Sequence, residues 1–108
     1  MTAVLPPGLK AYKRTPIFDQ DSLPAGLRRE HRTKAGVWAL IHVLEGQLRY
    51  RILDPQSEVV LVPGLPGVVS PEQPHEVDPL GQVRLFVEFY AIKPDAGSPH
   101  ANGDVIAE

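Results

Sequence analysis

An all-β domain is the fold class this sequence predicts, and two observations point to it. The chain has twelve prolines and nine glycines in 108 residues, a density that cuts helices short. Its apolar segments are of strand length, and turn signals separate them about every six to ten residues. No segment shows a convincing amphipathic helix pattern. Seven to nine short strands in a β-sandwich or barrel are the expected architecture.

The length suits one domain, and a hydrophobic fraction of 43% supports a globular core. We expect that domain over residues 1–92, with 93–108 as a disordered tail. The formal net charge of −2 gives no support for nucleic-acid binding. No run approaches the roughly 20 apolar residues of a spanning helix, and no leader pattern opens the chain. The absence of cysteine excludes disulfides, thiolate metal sites and cysteine nucleophiles. It also fits a cytoplasmic location.

Taken in order, residues 1–26 are a proline-punctuated lead that predicts extended segments and an edge strand or two. Leu27–Thr33 alternates loosely and reads as a strand. Val37–Leu44 (VWALIHVL) is an apolar run between glycine flanks, the pattern of a buried strand. Gly46–Ile52 alternates, with Leu48, Tyr50 and Ile52 opposite Gln47, Arg49 and Arg51, so it is half-buried. The junction around Gly46 reads as a tight hairpin or a bulge. Strands over Glu58–Val62, Val68–Ser70 and His75–Val77 follow, divided by proline turns. Asp78–Gly81 reads as one more turn before a last strand, Val83–Ile92.

Strand parity selects the candidate chemistry. His31 is in phase with Leu27, Arg29 and Thr33. His75 leaves the Pro71–Pro74 turn in phase with Val77. In the last strand Arg84, Phe86, Glu88 and Tyr90 share a face. A carboxylate in so apolar a strand needs a partner or a cation. Two imidazoles and one carboxylate form a facial donor set suited to zinc, iron, nickel or manganese. The remaining positions would be open to water or substrate. His31, His75 and Glu88 are therefore the candidate metal ligands. Arg29, Arg49 and Tyr90 are the candidate substrate contacts, the arginines steering an anion. A plainer reading stands beside this one. A lone strand histidine is more often a satisfied core or surface residue, and Glu88 could equally pair with Arg84 or Arg49. His42, in phase with Trp38 and Leu40, reads as outer-face or inter-subunit packing, or as a fourth ligand.

Several segments resemble the TehB/YeaR-like domain of the cupin superfamily. They are Pro24 to Gly26, His31 to Trp38 (HRTKAGVW), Val43 to Tyr50 (VLEGQLRY), Pro71 to Asp78 (PEQPHEVD) and Val87 to Tyr90 (VEFY). The resemblance covers roughly residues 9–92. It implies a double-stranded β-helix, the cupin jelly-roll barrel, with a metal in its mouth. His75 matches the histidine of the second cupin motif, and His31 the one opening the first. The first motif's second histidine is replaced by Thr33. Asp78 lies where related domains place an acid, and so rivals Glu88 as third ligand. Members occur alone or fused to a methyltransferase linked to tellurite resistance. With no glycine-rich cofactor loop in the chain, that activity is not expected here.

The expected function is that of a small metal-binding cupin with a divalent ion. It would bind or convert a small anionic metabolite or a stress-related oxyanion. The resemblance also implies a homodimer, while charge and hydropathy lead us to expect no nucleic-acid or membrane partner. The alternative is a non-catalytic ligand-sensing module, or a metal-free dimeric binding module.

Overall fold

In the computed structural model, residues 5–29, 31–54 and 56–91 are described. The expected tail at 93–108 lies outside them. The described residues form β1 (Lys10–Arg14), β2 (Phe18–Asp19), a 3-10 turn (Ala25–Arg28), β3 (Trp38–Leu53), β4 (Gln56–Leu61), β5 (Gly67–Val69) and β6 (His75–Ala91). The sheet runs β1-β6-β3-β4, with β2 on β6 and β5 on β3, and its strands pair antiparallel. The expected all-β class is thus the observed one.

Six strands replace the expected seven to nine because two expected pairs fuse. The segments around Gly46 are one strand of 16 residues, and those around Gly81 one strand of 17. The apparent breakers sit in facing irregularities instead of in reversals. The β3–β6 register shifts between Val43 and Glu45 and again between Gly46 and Leu48. Gly46 (φ 83°) and Gly81 (φ 99°) take the left-handed conformation there. Gly46 has a second reason to lack a side chain: a Cβ would lie 2.0 Å from the Gln82 carbonyl oxygen. The bulge reading of this junction therefore replaces the hairpin. The loosely alternating Leu27–Thr33 is not a strand. It gives the 3-10 turn and then a single bridge, His31 to His75.

The core forms on one face of the β3–β6 ribbon. Ala39, Ile41, Val43, Leu48 and Tyr50 of β3 are buried with Val77, Val83, Leu85, Val87 and Phe89 of β6. Burying each of the larger side chains contributes about 1.5–3 kcal/mol before the entropy of ordering is counted. Among the described residues no helix is long and apolar enough to cross a membrane.

Candidate functional site

The site begins with the turn that precedes β6. Pro71 and Glu72 occupy the corners of a turn closed by Gln73 N–H donating to the Ser70 carbonyl at 3.3 Å. Glu72 has φ of 58°, a position usually taken by glycine or asparagine. Thr33 holds it there. The Glu72 amide donates to the Thr33 carbonyl at 3.1 Å and reaches Thr33 Oγ1 at 3.3 Å. The Thr33 hydroxyl in turn donates to the Val37 carbonyl at 2.8 Å.

That turn presents the Gln73 carbonyl to His75 Nδ1 at 2.9 Å. A carbonyl only accepts, so Nδ1 bears the proton and Nε2 of the neutral ring keeps its lone pair. Burial pushes the His75 imidazole below its ordinary pKa, and the nearby His31 charge acts the same way. The bond to Gln73 opposes them. His31 and His75 exchange both backbone hydrogen bonds, at 2.8 and 2.9 Å. Their rings meet edge to face, with centroids 5.4 Å apart. On its other flank His75 meets the Tyr50 ring at 5.9 Å. The Tyr50 hydroxyl donates to the Val68 carbonyl at 2.7 Å, and burial raises its pKa.

Both imidazoles line a cavity of about 30 Å³ whose remaining walls are largely apolar, Ile41, Val69, Val77 and Phe89 among them. Thr15 and Thr33 also line it, but their hydroxyls are engaged with backbone. Thr15 Oγ1 donates to the Pro16 carbonyl at 2.9 Å and accepts from the Val87 amide at 3.0 Å. The arrangement suits holding a small ligand by shape and a hydrogen bond.

The other expected site residues lie elsewhere. Glu88 is on the outer face of the sheet, where it accepts from His42 Nε2 at 2.9 Å, Tyr90 at 3.0 Å and Arg14 at 3.3 Å. Tyr90 is therefore Glu88's neighbour and does not line the cavity. Asp78 and Arg49 are also on the outer face, 3.7 Å apart, with Arg28 3.3 Å from Asp78. Arg29 is exposed just beyond the 3-10 turn. Thus His31 and His75 are brought together, while Glu88 and Asp78 are not added to them. Among the described residues no group of three or more histidines, cysteines or acids could hold a metal ion. Sequence reasoning missed Thr15, Thr33, Gln73 and Tyr50 as parts of the site. It also overlooked that His75, Val77, Val83, Leu85, Val87 and Phe89 are all odd-numbered. That parity puts Glu88 opposite His75 once β6 is continuous.

Comparison with known proteins places the chain in a family. The TehB-like domain model matches residues 13–87. A probable S-adenosyl-L-methionine-dependent methyltransferase TehB of Haemophilus influenzae (strain KW20 / Rd) is 31% identical over 113 residues. That match covers 91% of this chain and 38% of the relative. The same protein from strain 10810 matches equally, so the chain spans little more than a third of these curated relatives. The crystal structure of TehB from H. influenzae superposes with a TM-score of 0.73 at 28% identity, over 79% of this chain and 32% of that one. A protein of Escherichia coli strain K12 superposes with a TM-score of 0.78 at 19% identity. It matches over 85% of this chain and 99% of its own, a likeness of fold.

These matches correct three expectations. The metal-binding cupin acting on a small anion is overturned, since the curated relatives of this TehB-like domain are named as probable S-adenosyl-L-methionine-dependent methyltransferases. The cupin and metal-binding descriptions conflict with the same names. The divalent-metal cofactor is overturned too: the relatives are named for S-adenosylmethionine, and the donor cluster a metal needs is missing among the described residues.

Proposed function

Since the chain belongs to the TehB-like domain family, we propose that it is a small-molecule-binding β domain serving S-adenosylmethionine-linked methyl transfer. The observation that supports this most is the His31–His75 pair in the wall of an otherwise largely apolar cavity. A volume of about 30 Å³ has room for roughly two water-sized groups. The ligand is accordingly small, and the apolar lining favours an uncharged one.

S-adenosylmethionine itself does not fit the histidine cavity. Cofactor-sized ligands occupy pockets of about 300–1,000 Å³, far above the histidine cavity. A second hollow, of about 340 Å³, lies beside β4 and β5, bounded by Tyr50, Leu61, Leu65 and Gly67. Its carboxylate, Glu58, is ion-paired with Arg49 and Arg51 at 3.4 Å each. No strand–loop–helix turn is present among the described residues to cradle a nucleoside. The methyl donor accordingly belongs to another unit, and this chain handles the smaller molecule.

A homodimer would form through β4. This six-residue edge strand exposes Val59 and Val60 and has neither lysine nor proline in it, the usual guards of an edge. Sedimentation tests that surface: Val60→Lys should convert a dimer to monomer, and a wild-type monomer would remove the dimer from the reading. The absence of cysteine fits work in the cytoplasm.

The main test is a paired titration. Calorimetry with S-adenosylmethionine should give no binding to this chain. Small uncharged probes should shift the methyl resonances of Val69, Val77 and Val87. Tight S-adenosylmethionine binding, or methyl groups that no small probe moves, would overturn the proposal.

A further inference from the structure

We infer that Nε2 of His75 is the ligand-recognising atom of the cavity, and that it selects a small uncharged hydrogen-bond donor, of the alcohol or thiol class. This rests on the reading of the cavity as a ligand site and goes further by naming the atom and the chemical class.

The hydrogen bonds of the two lining threonines and of His75 lead there. The Thr15 hydroxyl has backbone partners in both directions. The Thr33 hydroxyl is likewise bonded to Val37 and to the Glu72 amide. His75 is 5% exposed. Its Nδ1 is committed to Gln73, while its Nε2 has no hydrogen-bond partner among the described residues. A buried nitrogen in that state is costly to leave unmet. Because the lone pair is on Nε2, the complementary group must donate. The apolar walls disfavour a charged donor, since the desolvation of an ammonium would not be repaid by one neutral imidazole. Size completes the selection: about two water-sized groups fit, which matches a one-carbon alcohol or thiol.

The rest of the fold holds this atom in place. The strained Glu72 corner is clamped by Thr33, and it fixes the Gln73 carbonyl. That carbonyl sets the tautomer. The ring is flanked by His31 and by Tyr50, whose own hydroxyl is tied to Val68. A ligand-binding nitrogen supported in this way loses little freedom when it binds.

Two near-isosteric probes test the inference: methanethiol, which donates, and chloromethane, which does not. Each is titrated into the isotope-labelled chain while the His75 Nε2 resonance and the Val77 and Val87 methyl resonances are followed. We expect both probes to move the methyl signals and only methanethiol to move Nε2. In His75→Phe, which keeps a flat ring without the nitrogen, methanethiol should bind about tenfold more weakly and chloromethane equally well, the difference expected for one hydrogen bond. If His75→Phe fails to fold, the two-probe comparison on the wild type still decides. Methyl shifts with both probes and no Nε2 response would overturn the inference while leaving the cavity a binding site. No methyl shift with either probe would overturn the inference together with the reading beneath it.

Discussion

Two histidines on opposite faces of one β ribbon have opposite surroundings. His42 faces outward, stacked on Phe86 with ring centroids 4.7 Å apart, and its Nε2 meets Glu88 at 2.9 Å. Glu88 is also bonded by Tyr90 and Arg14, and the Arg14 guanidinium lies 4.7 Å from the Phe86 ring centroid. His75 faces inward and lines the cavity, with a tautomer set by Gln73. The residue type is the same in both places. The closed outer network stabilises the sheet face, whereas the inner imidazole retains an unused hydrogen-bonding site. Partnering, more than residue identity, separates a structural histidine from a ligand-binding one.

The largest effect should come from breaking the inner face at a neighbour of the outer one. Leu85→Ala removes a 1% exposed side chain and should cost about 2–5 kcal/mol in urea unfolding. Phe86→Ala, one residue along on the half-buried outer face, should cost less. Equal costs would mean that the two faces do not differ as described.

Gly46→Ala tests the bend that keeps both faces on one continuous ribbon. The left-handed backbone alone should cost about 1–3 kcal/mol, and the close Gln82 oxygen adds to it. Thermal unfolding at or above the wild-type midpoint would contradict the bulge assignment.

The two faces should also differ in their response to acid. Folded His75 binds its proton less readily than the unfolded chain does, because burial outweighs the Gln73 bond. Its stabilising contribution is therefore complete above the ordinary value of 6.5 and declines as pH falls below it, down to the folded pKa. Glu88 acts in a lower window. Burial pushes its carboxyl up, but the bonds from Tyr90, His42 and Arg14 outweigh that and hold it below 4.5. Its contribution is present above 4.5 and is lost as pH falls through the folded value. His75→Asn should flatten the upper limb of a stability–pH curve, and Glu88→Gln the lower one. An upper limb unmoved by His75→Asn, or a lower limb unmoved by Glu88→Gln, would contradict the two environments described.

The smallest effect belongs to the ion pairs farther along the outer face. Asp78 is 47% exposed at its side chain and sits 3.3 Å from Arg28, so Asp78→Asn should cost about 0–1 kcal/mol. A larger loss, or one insensitive to salt, would give Asp78 a role beyond the surface ladder.

Much of this was legible in the residues. The β class followed from proline density and strand-length apolar runs, because both act through local backbone geometry. An edge strand or two in the lead, the apolar run Val37–Leu44 as strand and the parity of Leu85, Val87 and Phe89 also followed. The fusion of β3 and β6 did not. Gly46, Pro79 and Gly81 have the same local signature in a bulge as in a turn, and only the facing strand decides between them. The misplacement of Glu88 came directly from that error. An assumed turn at Asp78–Gly81 freed its face from the register of His75. His31 and His75 do lie together, but through a single backbone bridge and not through the strand expected over Leu27–Thr33, because that bridge is a long-range contact that no local pattern reveals.

The most direct test of the account is the nitrogen spectrum of the His75 ring in the ligand-free chain at neutral pH. The account predicts a neutral ring with the proton on Nδ1, an unprotonated Nε2, and a midpoint below 6.5 on titration. A charged ring at neutral pH, or a proton on Nε2, would contradict it.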